Sequence, residues 1–138
     1  MPPNNLPKRR KGRTVYATST RRAVLDLLKA ERRYLSAGAI FRLLKAANPK
    51  LALSTVYRTL ELLAELGTVS ARTDPSGEIA YVACTDDHHH HAICRGCGHV
   101  DEVDCDAIER FRSALLANQS FALDEHSIEF YGLCARCR

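Results

Sequence analysis

Cys94 and Cys97 stand with two residues between them, and Cys134 and Cys137 repeat that spacing at the end of the sequence. Two such thiol pairs can close four thiolates around one ion, the tetrahedral arrangement that holds structural zinc. Ahead of the first pair runs His88, His89, His90 and His91. The apolar residues Ala92, Ile93, Val100 and Val103 around this run predict extended backbone, in which successive side chains point to opposite faces. His89 and His91 then share one face, and His88 and His90 the other. One histidine run can therefore feed two metal sites. Folded-looking sequence on both sides argues against an expression tag.

The six cysteines of the 138-residue chain could instead form a disulfide scaffold. C-x-x-C pairs near histidines, in a chain whose N-terminus lacks the apolar core of a signal peptide, favour metal over disulfide and a cytoplasmic location. No apolar run is long enough to span a bilayer. The net charge of +4 is unevenly placed. Up to residue 34, ten Lys and Arg face only Asp26 and Glu31, whereas Asp101, Glu102, Asp104, Asp106, Glu109 and Glu129 make the second half acidic. A basic front and an acidic, histidine-rich back point to a polyanion at one end and cations at the other.

The elements that must position these groups follow from periodicity and caps. Residues 1 to about 14 carry three prolines and a basic cluster that includes Arg13, and form an arm suited to phosphates or a groove. Thr18 or Ser19 caps a first helix with Val24, Leu27 and Leu28 on one face. Ser36 caps a second helix, 37–46, with Ile40, Leu43 and Leu44 inward, and Asn48-Pro49 ends it. Ser54 starts a third, which Gly67 stops; Val56, Leu60, Leu63 and Leu66 face the core. Residues 68–72 and 78–82 form a hairpin around Asp74-Pro75-Ser76-Gly77.

Three short helices followed by a hairpin make a winged helix-turn-helix, whose third helix enters the major groove. Tyr57 and Arg58 lie on its outer face, where a ring suits thymine methyls and a guanidinium suits phosphate or guanine. Ser54, Thr55 and Thr59 are further candidates for contact with DNA. Beyond residue 83 the pattern changes. Strands at 88–94 and 99–103 meet at Gly96-Cys97-Gly98. Asp106 or Asp104 caps a helix with Ile108, Phe111 and Leu115 as its apolar stripe. A third strand at 127–133 runs into Cys134. The expected class is α+β, with a DNA-binding domain at 1–83 and a small α/β metal-binding domain at 84–138. A core this small needs a metal or a second subunit to supply stability.

Leu35-Ser36-Ala37, the run Ser54 to Leu60, His88 to Gly98, and His126 with Glu129 to Cys134 together resemble the Fur family of metal-responsive bacterial repressors over nearly the whole chain. The resemblance implies a homodimer that binds AT-rich palindromic operators in double-stranded DNA when its sensing metal is present. Neither a membrane nor a small-molecule substrate is expected as a partner. Cys84, five residues before His89, resembles the thiolate ligand of the zinc-uptake branch. The implied regulatory zinc site is Cys84, His89 and His91 plus one more ligand, and sulfur with imidazole suits zinc better than ferrous iron. Tyr34 stands where iron and peroxide sensors carry histidine, and Val82 where iron sensors carry glutamate. Ser70 stands where actinobacterial relatives carry an Asp ligand, so the fourth ligand stays open among Asp74, Glu78, Glu102 and water. A second site of His88, His90, Glu109 and His126 is implied on the other strand face. The expected complement is one structural zinc and one or two regulatory ions.

Rival readings are an iron, manganese or peroxide sensor of the same family, a zinc store or carrier, and a zinc hydrolase. A hydrolase needs an open three-ligand site and a general base; no H-E-x-x-H occurs, and no enzymatic activity is expected. Cys105 has no cysteine close by and reads as a bystander thiol, and His99 has no assigned role.

Overall fold

A computed structural model describes residues 18–85, 89–123 and 126–138. Two compact units divide the chain, Met1–Thr85 and Asp86–Arg138. The arm with Arg13, and His88 of the histidine run, lie outside the described residues.

In the first unit, helices α1 (Ser19–Glu31), α2 (Ala37–Lys45) and α3 (Leu53–Glu65) accompany strands β1 (Leu35–Ser36), β2 (Val69–Thr73) and β3 (Ile79–Ala83). Thr18 caps α1 by accepting the Arg21 N–H at 3.2 Å, and Ser36 caps α2 by accepting the Ala39 N–H at 3.1 Å. Each side-chain oxygen satisfies an amide that the first helical turn leaves unpaired. Helix α3 begins one residue earlier than Ser54 suggests, at Leu53, on the extended Ala52 and with no side-chain cap. The hairpin pairs β2 with β3 antiparallel, from Val69 opposite Ala83 to Thr73 opposite Ile79. Its turn is held by Asp74, whose carboxylate accepts the Ser76 N–H at 2.8 Å and the Glu78 N–H at 3.0 Å. The short β1 adds to the other edge of β3, giving the order β1-β3-β2.

Val24, Leu28, Ile40, Val56 and Leu60 are fully enclosed at the centre of this unit. Leu43, expected inward, is 48% exposed, while Phe41 packs against the core. Successive helical residues turn by about 100°, so Ala37, Ile40, Phe41 and Leu44 form one continuous stripe and Leu43 falls off its side.

The second unit has strands β4 (His90–Cys94), β5 (Val100–Val103) and β6 (Glu129–Gly132) and helix α4 (Asp106–Gln119). Strand β4 is central, antiparallel to β5 and parallel to β6. Only Ile93, Cys94, Val100 and Ile108 are buried apolar residues among those described here. Phe111 of the expected stripe is 58% exposed, and Leu116, Phe130, Tyr131 and Leu133 are exposed with it. A sheet of three short strands encloses too little volume to cover one face of a 14-residue helix, so most of that stripe stays outside. No helix among the described residues is long and apolar enough to cross a membrane.

Candidate metal centres and DNA-facing helix

The two C-x-x-C segments meet because β4 and β6 run parallel. Cys94 pairs in register with Gly132, and the Arg95 N–H donates to the Gly132 carbonyl at 2.8 Å. Cys134 therefore arrives beside Cys94. Each segment then folds back on itself. The Gly98 N–H donates to the Cys94 carbonyl at 2.9 Å, and the Cys137 N–H to the Cys134 carbonyl at 2.9 Å. Gly98 sits at φ +75°, a conformation that glycine adopts without strain. Gly96 matters for another reason: a Cβ there would lie 3.0 Å from both Cβ and Sγ of Cys137. Absence of a side chain at Gly96 lets the last cysteine close in.

The four sulfurs lie within 4.8 Å of one another. Cys97 and Cys134 are 3.7 Å apart, close to the edge of about 3.8 Å expected for a tetrahedron with zinc–sulfur bonds of about 2.3 Å. The Cys134 N–H points at Cys94 Sγ at 3.3 Å. That amide, with those of Cys97 and Gly96, pulls the Cys94 thiol down to about 6 against the opposing effect of burial. The neighbouring sulfurs of Cys134, Cys94 and Cys97 push Cys137 up to about 12. Four thiolates this close repel one another unless a cation sits among them. The set fits a closed structural zinc, held by Cys94, Cys97, Cys134 and Cys137.

The histidine run splits as a strand must. His89 and His91 bring their Nε2 atoms to 3.0 Å, with the rings edge to face and their centroids 4.8 Å apart. His91 is buried, and burial first, then His89, holds its pKa below the usual histidine value. A neutral imidazole is the form that binds metal. Across the sheet His91 stands opposite Glu102 on β5 and Glu129 on β6, and both carboxylates oppose that shift. Cys84 belongs to the first unit. It follows β3, is buried, and donates its N–H to the Thr68 carbonyl at 2.9 Å.

His90 turns the other way. Its Nε2 lies 3.0 Å from Cys105 Sγ and 3.1 Å from His126 Nε2, and Cys105 Sγ lies 3.2 Å from His126 Nε2. Glu109 is not part of this group: its carboxylate is 66% exposed on α4, 3.6 Å from Arg112 Nη1. Cys105 is the residue that sequence reasoning missed. It stands one helical turn before Glu109, a placement that could have flagged it. Burial, then Glu109, Asp104 and Asp106, raises its pKa. His99 pairs with Asp101 at 3.0 Å.

In the first unit, Ser54, Thr55, Tyr57 and Arg58 are exposed on α3, whose Val56, Leu60 and Leu63 are buried. Thr59 departs from expectation. It is 6% exposed and its hydroxyl donates to the Thr55 carbonyl at 2.8 Å, because it falls on the core side of the helix with Val56 and Leu63. The carboxylate of Asp74, one of the open choices for a fourth ligand, is engaged by its own turn. Tyr34 lies under the Arg72 guanidinium, 4.3 Å from ring centroid to Cζ.

Residues 13–131 match the ferric uptake regulator family. The chain belongs to the Fur family. Among its relatives, the ferric uptake regulation protein of Bacillus subtilis (strain 168) is 37% identical over 114 residues, covering 80% of this chain and 76% of the relative. The zinc uptake regulation protein of Mycobacterium tuberculosis (strain CDC 1551 / Oshkosh) is 34% identical over 124 residues, covering 90% and 95%. A solved zinc uptake regulator, complexed with zinc and DNA, is similar to this chain with a TM-score of 0.65 and 35% identity, over 90% of this chain and 84% of that one. This Fur-family chain is thus a metal-responsive transcription regulator with an α+β fold, and not an enzyme.

Proposed function

We propose that this Fur-family chain is a zinc-sensing repressor that, loaded with zinc, binds AT-rich palindromic operators of metal-uptake genes as a homodimer. The observation that carries the reading is the pair of convergent imidazoles, His89 and His91, at 3.0 Å, with Cys84 five residues before the first. A thiolate beside two imidazoles is a donor set for zinc. Glu102, on the strand next to His91 and in register with it, is the favoured fourth ligand. Of the second expected regulatory set, His90 and His126 are in mutual contact, whereas Glu109 turns outward beside Arg112. Structural zinc is assigned to the four-cysteine knuckle. The exposed Phe111, Leu116, Phe130 and Tyr131 give a second copy of the chain an apolar face to cover.

DNA binding is assigned to the first unit, through Tyr57, Arg58, Ser54 and Thr55 on α3 and the basic arm with Arg13. Cys84 belongs to that unit, whereas His89 and His91 belong to the other. An ion held by all three ties the units together and fixes the spacing of the two recognition helices in a dimer. The coupling is reciprocal, so operator DNA raises zinc affinity by the factor by which zinc raises operator affinity.

The test is a titration of a duplex from a zinc-uptake promoter under buffered free zinc, iron or manganese. Zinc restores binding, and Cys84→Ser loses that response while keeping its fold. The resemblance to a ferric uptake regulation protein supports an iron sensor as the second reading. Binding that responds to iron but not to zinc would establish that reading instead.

A further inference from the structure

We propose that Cys105 is a metal ligand, forming with His90 and His126 a thiolate–imidazole site for a soft divalent ion such as zinc, apart from the four-cysteine knuckle. The three donors come from separate places: His90 from the central strand, Cys105 from the N-cap of α4, and His126 from the segment before β6. Their ligand atoms form a triangle with sides of 3.0, 3.2 and 3.1 Å. Zinc bonds of about 2.0 Å to nitrogen and 2.3 Å to sulfur give tetrahedral edges of about 3.3 Å between nitrogens and 3.5 Å between nitrogen and sulfur. The triangle needs to spread by at most about 0.5 Å to meet those edges. His90 is 3% exposed, and the other two are half-buried, so the donors converge inside the unit and not on an open surface.

The resemblance assigned a carboxylate here, from Glu109. That side chain faces outward beside Arg112, and Cys105, one helical turn earlier, takes the inward place. The substitution changes the chemistry of the site. A carboxylate with imidazoles accepts iron, manganese or zinc, whereas a thiolate narrows the choice to softer ions. Binding exchanges the thiol proton for the ion: the S–H bond breaks, a sulfur–metal bond forms, and the proton passes to solvent. The inference rests on the metal-sensing reading only for the choice of ion.

Cobalt(II) added to the full-length, reduced protein, with its knuckle zinc retained, reports thiolate ligation as a charge-transfer absorption in the near ultraviolet. Cys84→Ser removes the proposed sensing thiolate, so one equivalent of that absorption remains in this variant and arises from Cys105. Adding Cys105→Ser abolishes the absorption and weakens cobalt binding at this site by at least about tenfold. Adding Cys105→Asp instead keeps a bound ion without the absorption, and aspartate is a favourable residue at a helix N-cap. Charge transfer that survives in Cys84→Ser/Cys105→Ser, or that is already absent from Cys84→Ser, would overturn the assignment. Operator binding of Cys84→Ser is read separately, so failure of the sensing reading is distinguishable from failure of this one.

Discussion

Replacing Gly96 by alanine is the sharpest probe of the knuckle. The new Cβ would stand 3.0 Å from Cβ and Sγ of Cys137, whereas carbon contacts are most favourable at about 3.5 to 4.0 Å. Cys137 must retreat by about 0.5 Å. Zinc–ligand distances tolerate only about 0.2 Å, so the sulfur cannot retreat and remain a good ligand unless the turn moves with it. Misplacing the groups that support a ligand costs about 10- to 100-fold in metal affinity, which is about 1.4 to 2.8 kcal/mol. Competition against a chromophoric chelator measures the loss directly. Gly132→Ala is the matched control, because a Cβ at Gly132 meets nothing within 4 Å. Gly96→Ala holding zinc as tightly as wild type and the control would refute the claim that Cys137 needs this close approach.

Removing the knuckle zinc, by chelation or by Cys97→Ser, unfolds the second unit, since a closed zinc site supplies roughly 10 kcal/mol or more of apparent binding free energy; circular dichroism with and without chelator reads it. Zinc affinity of the reduced, metal-free protein falls as pH drops through neutrality. Cys137, raised to about 12, must lose its proton to bind, and below about 6 Cys94 is protonated as well. Leu60→Ala empties a fully buried position and costs about 2 to 5 kcal/mol in denaturant unfolding. Tyr57→Ala, on the exposed face of α3, stays within about 0.5 kcal/mol of wild type yet weakens duplex binding.

Short-range chemistry was legible in the sequence. Caps at Thr18 and Ser36, the Asp74 turn and the two cysteine pairs depend on residues within a few positions of one another, so spacing suffices to find them. The alternation of His89, His90 and His91 needs only the two-residue period of a strand. Leu43 was misplaced because Ile40 and Leu44 alone leave it and Phe41 equally near in angle, and it is the burial of Ala37 that extends the stripe to the Phe41 side. Thr59 was misplaced for a similar reason, since a hydroxyl that bonds its own helix sits comfortably in a core.

What the sequence determined by itself is therefore the donor inventory and the local turns that present it. Only the tertiary structure decided which donors meet. The parallel pairing of β6 with β4 carries Cys134 to Cys94, and the N-cap of α4 puts Cys105 against His90 on the central strand while Glu109 faces Arg112. Such meetings join residues far apart in the chain. They are fixed by strand order and by helix rotation, which depend on the packing of the whole unit and not on the spacing of the ligands alone.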